Sequence, residues 1–340
     1  MKTYTISASS PRVRLLAASI ALGALSAMAC GAAWAQEWKP DKPVELIATN
    51  APGGGSDRIL RIMIKVLQEK RYVPVTMNVV NKPGGGSAVA YNYANQHPGN
   101  GHYLVMGSRA LLTNNIAGHG PSYMELTPVV RLFDEYIGIT VKPVSPIKSG
   151  KDLLTFMKRD PTALSFGIAT SLGAPNHSGV AAAFKAAGID IKKMKNVIFP
   201  SGGAASTALL GGHVDVVPIS VGFASQLHRN KQARIIAVTS PRRLPGDLND
   251  VPTWKEQGAD AVVEQWRVFI GPKGMTAGQV AYWEGVMKRM MDAEEWKKEL
   301  ETNFWQANFQ TGAETRKFLA KDNEDAKAFL AELGLAKQGQ

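Results

Sequence analysis

The sequence predicts an α/β fold in two lobes, each a mainly parallel sheet flanked by helices, joined by a hinge that the chain crosses twice. Three observations carry this reading. Short apolar strands alternate with helical patterns along most of the 340 residues, the order that builds parallel sheets with helices on their faces. A stretch rich in Pro and Lys, Val141-Lys142-Pro143-Val144-Ser145-Pro146, interrupts the alternation, and a second series follows it. After Val251-Pro252-Thr253 the chain passes through Val263 to Ile270 into three helices without a comparable sheet of their own, so these are expected to cover the first lobe. Residues 36–140 plus 262–340 are therefore assigned to lobe 1 and residues 141–261 to lobe 2. Two crossings make a hinge, and a hinge permits closure around a ligand.

At the N-terminus, Lys2, Arg12 and Arg14 precede an uncharged apolar run from Leu15 to Ala29, and Ala33-Trp34-Ala35 follows it. That order is a secretory signal peptide with a small-x-small cleavage site, assigned to residues 1–35 with the cut before Gln36. The run is shorter than the roughly 20 residues a membrane-spanning helix needs. Cys30 leaves a lipoprotein variant open, although Ala27 stands where a lipobox normally has leucine. Cys30 is also the single cysteine, so the exported chain is expected to rely on its cores and not on disulfides.

Lobe 1 begins with a strand at Val44 to Ala48, a Gly-rich loop, and a helix that Ser56 is placed to cap, with Ile59, Ile62, Met63, Val66 and Leu67 on one face. A strand at Pro74 to Val80, the loop Asn81-Lys82-Pro83-Gly84-Gly85-Gly86, a helix near Ala88 to Asn95 and a strand at Tyr103 to Gly107 complete it. In lobe 2, strands are expected at Leu164 to Ile168, Asn196 to Phe199, Val214 to Ile219 and Arg234 to Thr239. Its helices are expected at Gly150 to Lys158, near Pro175 to Ala187 and at Ala204 to Leu210. The last helix of the chain is bounded by a Thr311/Glu314 capping box and by Gly334.

The formal net charge is +11, and removal of the three positive residues of the signal leaves +8. Such a surplus favours anions. The basic residues are scattered, and the densest cluster, Lys192, Lys193 and Lys195, is short and lacks interleaved aromatics, which argues against nucleic acid. The six histidines are dispersed with no H-E-x-x-H and no paired cysteines, so no metal is expected.

Ligands of open α/β sheets sit beyond the carboxyl ends of the strands, which directs attention to three strand-to-helix loops. In Ala51-Pro52-Gly53-Gly54-Gly55-Ser56-Asp57 the glycines admit close backbone approach, and the next helix points its amides at the same space, an arrangement that binds anions. A dinucleotide fingerprint would need glycine at position 58, which is Arg58, and no G-x-x-x-x-G-K-[ST] occurs, so no phosphate cofactor is expected. Thr170-Ser171-Leu172-Gly173-Ala174-Pro175-Asn176-His177 again combines hydroxyls, a glycine and a helix start. It also resembles a degenerate nucleophile elbow, which leaves open a secreted serine hydrolase with Ser171 as nucleophile and His177 or His213 as base; Ala169 replaces the first glycine of that motif. Pro200-Ser201-Gly202-Gly203 is the third loop, and Asp215 is placed either to order it or to accept from a ligand's hydroxyl or ammonium. Arg109, just past a strand end, and Arg267, beside Trp266, are each able to pair with a carboxylate.

These residues together resemble the solute-binding receptors of tripartite tricarboxylate transporters, the Bug or TctC-type family. The resemblance spans nearly the whole exported chain. It rests on Ala51 to Asp57 with Arg61, Asn81-Lys82-Pro83-Gly84, Pro98 with Gly101 and Tyr103, and the loop from Ser171 to His177. Gly202-Gly203, Leu209 to Asp215, Val251-Pro252-Thr253 with Glu256 and Gly258, and Trp266 with Gly271-Pro272 add to it. It implies a periplasmic-binding-protein (Venus flytrap) fold, monomeric and without enzymatic activity or cofactor. It further implies a small organic carboxylate ligand, delivered to one large and one small membrane subunit. Carried over residue by residue, the carboxylate would be gripped by Gly54, Gly55, Ser56 and Asp57 from lobe 1 and by Thr170, Ser171, Asn176 and Gly203 from lobe 2. Asn50, Asn100 and Ser178 depart from the usual pattern. Arg109 and Arg267 lie outside it and are expected to meet the distal half of a di- or tricarboxylate or an aromatic carboxylate.

Overall fold

The computed structural model describes residues 38–337; the expected signal peptide, Cys30 and the expected cleavage position before Gln36 lie outside the described residues. The elements follow as β1 (Val44–Ala48), α1 (Gly55–Glu69), β2 (Met77–Asn81), α2 (Ala88–Asn95), β3 (Tyr103–Gly107), α3 (Ala110–Ile116) and β4 (Thr127–Val141). Next come α4 (Gly150–Arg159), β5 (Ser165–Ala169), α5 (Pro175–Ala186), β6 (Lys195–Phe199), α6 (Gly202–Gly211), β7 (Val216–Ser220), α7 (Val221–Arg229) and β8 (Arg234–Val238). The chain ends with β9 (Glu264–Gly271), α8 (Ala277–Asp292), α9 (Glu294–Thr302), β10 (Gln306–Thr311) and α10 (Gly312–Leu333).

The strand order is β2-β1-β3-β9-β4-β7-β5-β6, with β8 and β10 also paired to β4. This is the two-lobed α/β arrangement, but its pairing is mixed and not mainly parallel. The pairs β1/β2, β1/β3, β5/β6 and β5/β7 are parallel. Everything that touches β4 or β9 is antiparallel. The reason is topological: strands joined by a helical crossover run the same way, whereas β4 and β9 carry the chain between lobes in opposite senses. Residues Thr127 to Tyr136 of β4 pair with β9, and Ile137 to Val141 pair with β7.

Buried Thr239 ties the two crossings together. Its hydroxyl accepts from the Ile137 amide at 3.0 Å and donates to the Val263 carbonyl at 2.6 Å. Its backbone amide donates to the Ile137 carbonyl, and its carbonyl accepts from the Val263 amide.

The C-terminal helices pack against the β1, β3 and β9 side of the sheet. Leu319, Ala326 and Leu330 of α10 pack with Tyr91, Leu111, Trp266 and Val268. Trp283 of α8 is fully buried and its indole donates to the Gly101 carbonyl at 2.9 Å. The capping box at α10 forms as the sequence predicts, with the Thr311 amide donating to Glu314 Oε2 at 2.8 Å and Gly334 closing the helix at φ 68°. At α1 the expectation is corrected: Gly54 is the N-cap and Ser56 lies inside the first turn, because its hydroxyl is committed elsewhere. Among the described residues no helix is long and apolar enough to cross a membrane.

Candidate functional site

The lobes enclose a cavity with about 770 Å³ of atom-free space, part of it continuous with solvent. Its wall is built from the N-terminal ends of α1, α2, α3, α5, α6 and α7, each presented by the strand before it, together with β4 and β9. First-turn amides have no acceptor within their own helix, so these helix starts bring such N–H groups and positive dipole ends to the wall.

The glycine loop before α1 is held from behind. The Ser56 hydroxyl accepts from the Thr49 amide at 3.0 Å and donates to Asn50 Oδ1 at 2.7 Å. Asn50 in turn explains Gly54: a Cβ there would lie 2.5 Å from Asn50 Oδ1. Asp57 accepts from the Gly53 amide at 3.0 Å, from Arg61 and from Asn81 Nδ2. Burial alone would raise the Asp57 pKa, but the Arg61, Gly53 and Asn81 hydrogen bonds outweigh it and hold the carboxyl below its usual range. Ser56 and Asp57 thus shape the loop from outside the cavity lining, while Gly53, Gly54 and Gly55 form its surface.

From lobe 2, Thr170 and Asn176 line the cavity. Thr170 has φ 69°, a left-handed conformation that a β-branched residue rarely adopts and that costs about 1–3 kcal/mol. Asn176 Nδ2 donates to the Pro218 carbonyl at 2.6 Å, which turns its oxygen toward other partners. Ser171 and Gly203 lie where the lobes touch and not in the lining. The Ser171 hydroxyl donates to Asn114 Oδ1 of lobe 1 at 3.2 Å, and a Cβ on Gly203 would meet the Gly53 carbonyl oxygen at 3.0 Å.

The nucleophile reading of Ser171 finds no geometric support. The Ser171 hydroxyl is engaged by an amide, and buried His177 uses Nδ1 to accept from the Gly173 amide at 3.1 Å. Burial pushes the His177 pKa down to about 4. Asp215 is structural, accepting from the Ser165 amide and hydroxyl at 2.8 and 2.7 Å.

The two arginines separate. Arg109 does not line the cavity; its Nε lies 3.2 Å from Asp322 of α10, which also accepts from the Trp266 indole at 2.8 Å. Arg109 is thereby removed from the distal half of the site, because α10, placed by tertiary packing alone, supplies its counter-charge. Arg267 does line the cavity, beside Gly55, and pairs with Glu135, the side chains being 5% and 1% exposed. Glu135 Oε2 also accepts from Ser220 Oγ and Trp305 Nε1.

The sequence reading missed Arg58. Its side chain lines the cavity and donates to Asn303 Oδ1, while Asn303 Nδ2 is fixed by the Glu299 carbonyl at 2.8 Å. Burial lowers the Arg58 pKa and the nearby Glu135 and Glu299 charges partly restore it. Its helical spacing, one turn before Ile62 on α1, gave no signal, because Asn303 arrives from the far end of the chain. Arg58, Arg267 and Glu135 are the charged residues of the lining, a net charge of +1. Among the described residues no group of three His, Cys, Asp or Glu side chains is placed to hold a metal ion.

Comparisons with known proteins agree with this architecture. A 331-residue match, 26% identical, covers 96% of this chain and 97% of a Cupriavidus necator protein, the UPF0065 protein in the gbd 5' region. The structure of the periplasmic binding protein BugD superposes with a TM-score of 0.80 at 20% identity, covering 88% of this chain and all of that one. That of R. palustris Rpa4515 with adipate gives a TM-score of 0.79 at 19% identity, covering 87% and 99%. The profile of the tripartite tricarboxylate transporter family receptors, TctC, matches residues 59–335. With that profile matched over most of its length, the chain belongs to the tripartite tricarboxylate transporter family receptors.

Proposed function

We propose that this receptor captures a small organic carboxylate between its lobes in the periplasm, after cleavage of the signal peptide at residues 1–35, and delivers it to a tripartite tricarboxylate transporter. Lobe 1 comprises residues 36–140 plus 262–340 and lobe 2 residues 141–261, the ligand lying between them. The observation that carries the proposal is the cavity wall: converging helix N-termini with Arg58 and Arg267 set against the single carboxylate of Glu135. Such a wall attracts an anion and needs no chemistry on it. One ligand carboxylate meets the amides around Gly54 and Gly55 together with Thr170 and Asn176, while Ser56, Asp57, Ser171 and Gly203 hold the loops that present them. Arg267 and Arg58 meet the remainder of the ligand. Each helix end contributes about 0.3–1 kcal/mol and each charge-assisted hydrogen bond about 1.5–3 kcal/mol, enough for the about −8 kcal/mol of micromolar binding once ordering costs are met. The adipate held by R. palustris Rpa4515, a protein of the same fold, supports a dicarboxylate class.

A thermal-shift screen against carboxylates, sugars, amino acids and phosphates tests the proposal. Stabilisation is expected from carboxylates. A stabilising hit found only among sugars would overturn the ligand class.

A further inference from the structure

We propose that Gln265 is a specificity-determining residue that accepts a hydrogen bond from a hydroxyl group of the bound carboxylate, making the ligand a hydroxycarboxylate. This rests on the carboxylate reading above and deepens it. Gln265 and Arg267 are two residues apart on β9, so both point to one face of the strand, and both line the cavity. Glu135 stands directly opposite Gln265 in the β4/β9 register. The Gln265 Nε2 donates to Glu135 Oε1 at 3.1 Å. An ionised carboxylate only accepts, so this bond fixes the amide with its nitrogen toward Glu135 and leaves Oε1 as a committed acceptor. That oxygen is buried, on a residue only 5% exposed, and has no hydrogen-bond partner among the described residues.

A buried acceptor left without a donor is penalised, and a site built around one selects the ligand that supplies it. The donor is a neutral hydroxyl and not an ammonium, because the guanidinium groups of Arg267 and Arg58 line the same cavity and repel a further cation. A ligand carboxyl does not serve, being ionised at neutral pH.

The test is calorimetry of the purified protein with matched pairs that differ by one hydroxyl: succinate and malate, glutarate and 2-hydroxyglutarate, benzoate and 4-hydroxybenzoate. In a pair that binds, the hydroxylated member is expected to bind about ten-fold tighter or more, and Gln265→Met to reduce that ratio to within about two-fold. If Gln265→Met fails to fold, Gln265→Asn, which withdraws the amide by one methylene, takes its place with the same expected fall. Carboxylates that bind with no hydroxyl preference, as when a water molecule satisfies Oε1, overturn this inference alone. So does a preference that survives the Gln265 variants. Failure of every carboxylate to bind overturns the carboxylate reading and this inference with it.

Discussion

Replacing Arg267 by leucine removes one half of an ion pair whose side chains are 5% and 1% exposed. The Arg267 Nε lies 2.8 Å from Glu135 Oε1. At such a separation and an effective dielectric constant of about 20, the gross attraction is about 6 kcal/mol. Desolvation of both groups offsets most of it, so what the substitution exposes is the cost of a buried, uncompensated carboxylate, about 3–5 kcal/mol. Gln265 Nε2, Trp305 Nε1 and Ser220 Oγ still donate to Glu135 in the variant, which places the loss near the lower end, about 3 kcal/mol. For a chain of this size each kcal/mol moves the melting midpoint by roughly 2 °C, so a fall of roughly 6 °C is expected. Urea denaturation of Arg267→Leu, Glu135→Leu and the double variant gives the coupling directly. The double variant should be more stable than the sum of the single losses requires, by about 2 kcal/mol or more. A single-variant loss below about 1 kcal/mol, or strict additivity, would show that the two charges do not depend on each other and would refute the reasoning.

Two further outcomes follow from the same physics. His177 is neutral and buried, with its pKa pushed down to about 4 from an ordinary value near 6.5. Between those values the unfolded chain takes up a proton that the folded chain refuses, so stability is full above pH 6.5 and is lost as the pH falls toward 4, by about 3 kcal/mol in all. His177→Asn, which keeps an acceptor for the Gly173 amide, should flatten that part of the stability curve; an unchanged slope in pH-resolved denaturation would place the proton uptake elsewhere. In Gly203→Val a branched side chain meets the Gly53 carbonyl, only 3.0 Å from the position of a Cβ. Ligand affinity measured by calorimetry should drop about ten-fold or more, equal to about 1.4 kcal/mol, and undiminished binding would mean that the two loops need not meet.

The α/β alternation, the strand-to-helix loops and the capped ends of α10 were legible because each rests on residues close together in the chain. Local propensity and hydrophobic period decide them. β4 was not legible. Arg131, Asp134 and Glu135 interrupt its apolar run, yet all three are buried, since Arg131 pairs with Asp134 and Glu135 with Arg267. A buried charge reads as a surface residue until its partner is known, and the Glu135 partner lies 132 residues away. Arg58, Arg109 and Arg267 make the same point within the site, since the helix and strand that carry them say nothing about their counter-charges. Asn303 and Glu135 leave Arg58 and Arg267 facing the cavity, while Asp322 draws Arg109 away from it. The sequence by itself determined the α/β alternation and the glycine-bearing strand-to-helix loops. Only the tertiary structure decided which cations face the cavity, because charge pairing depends on distances between segments that the chain order does not set.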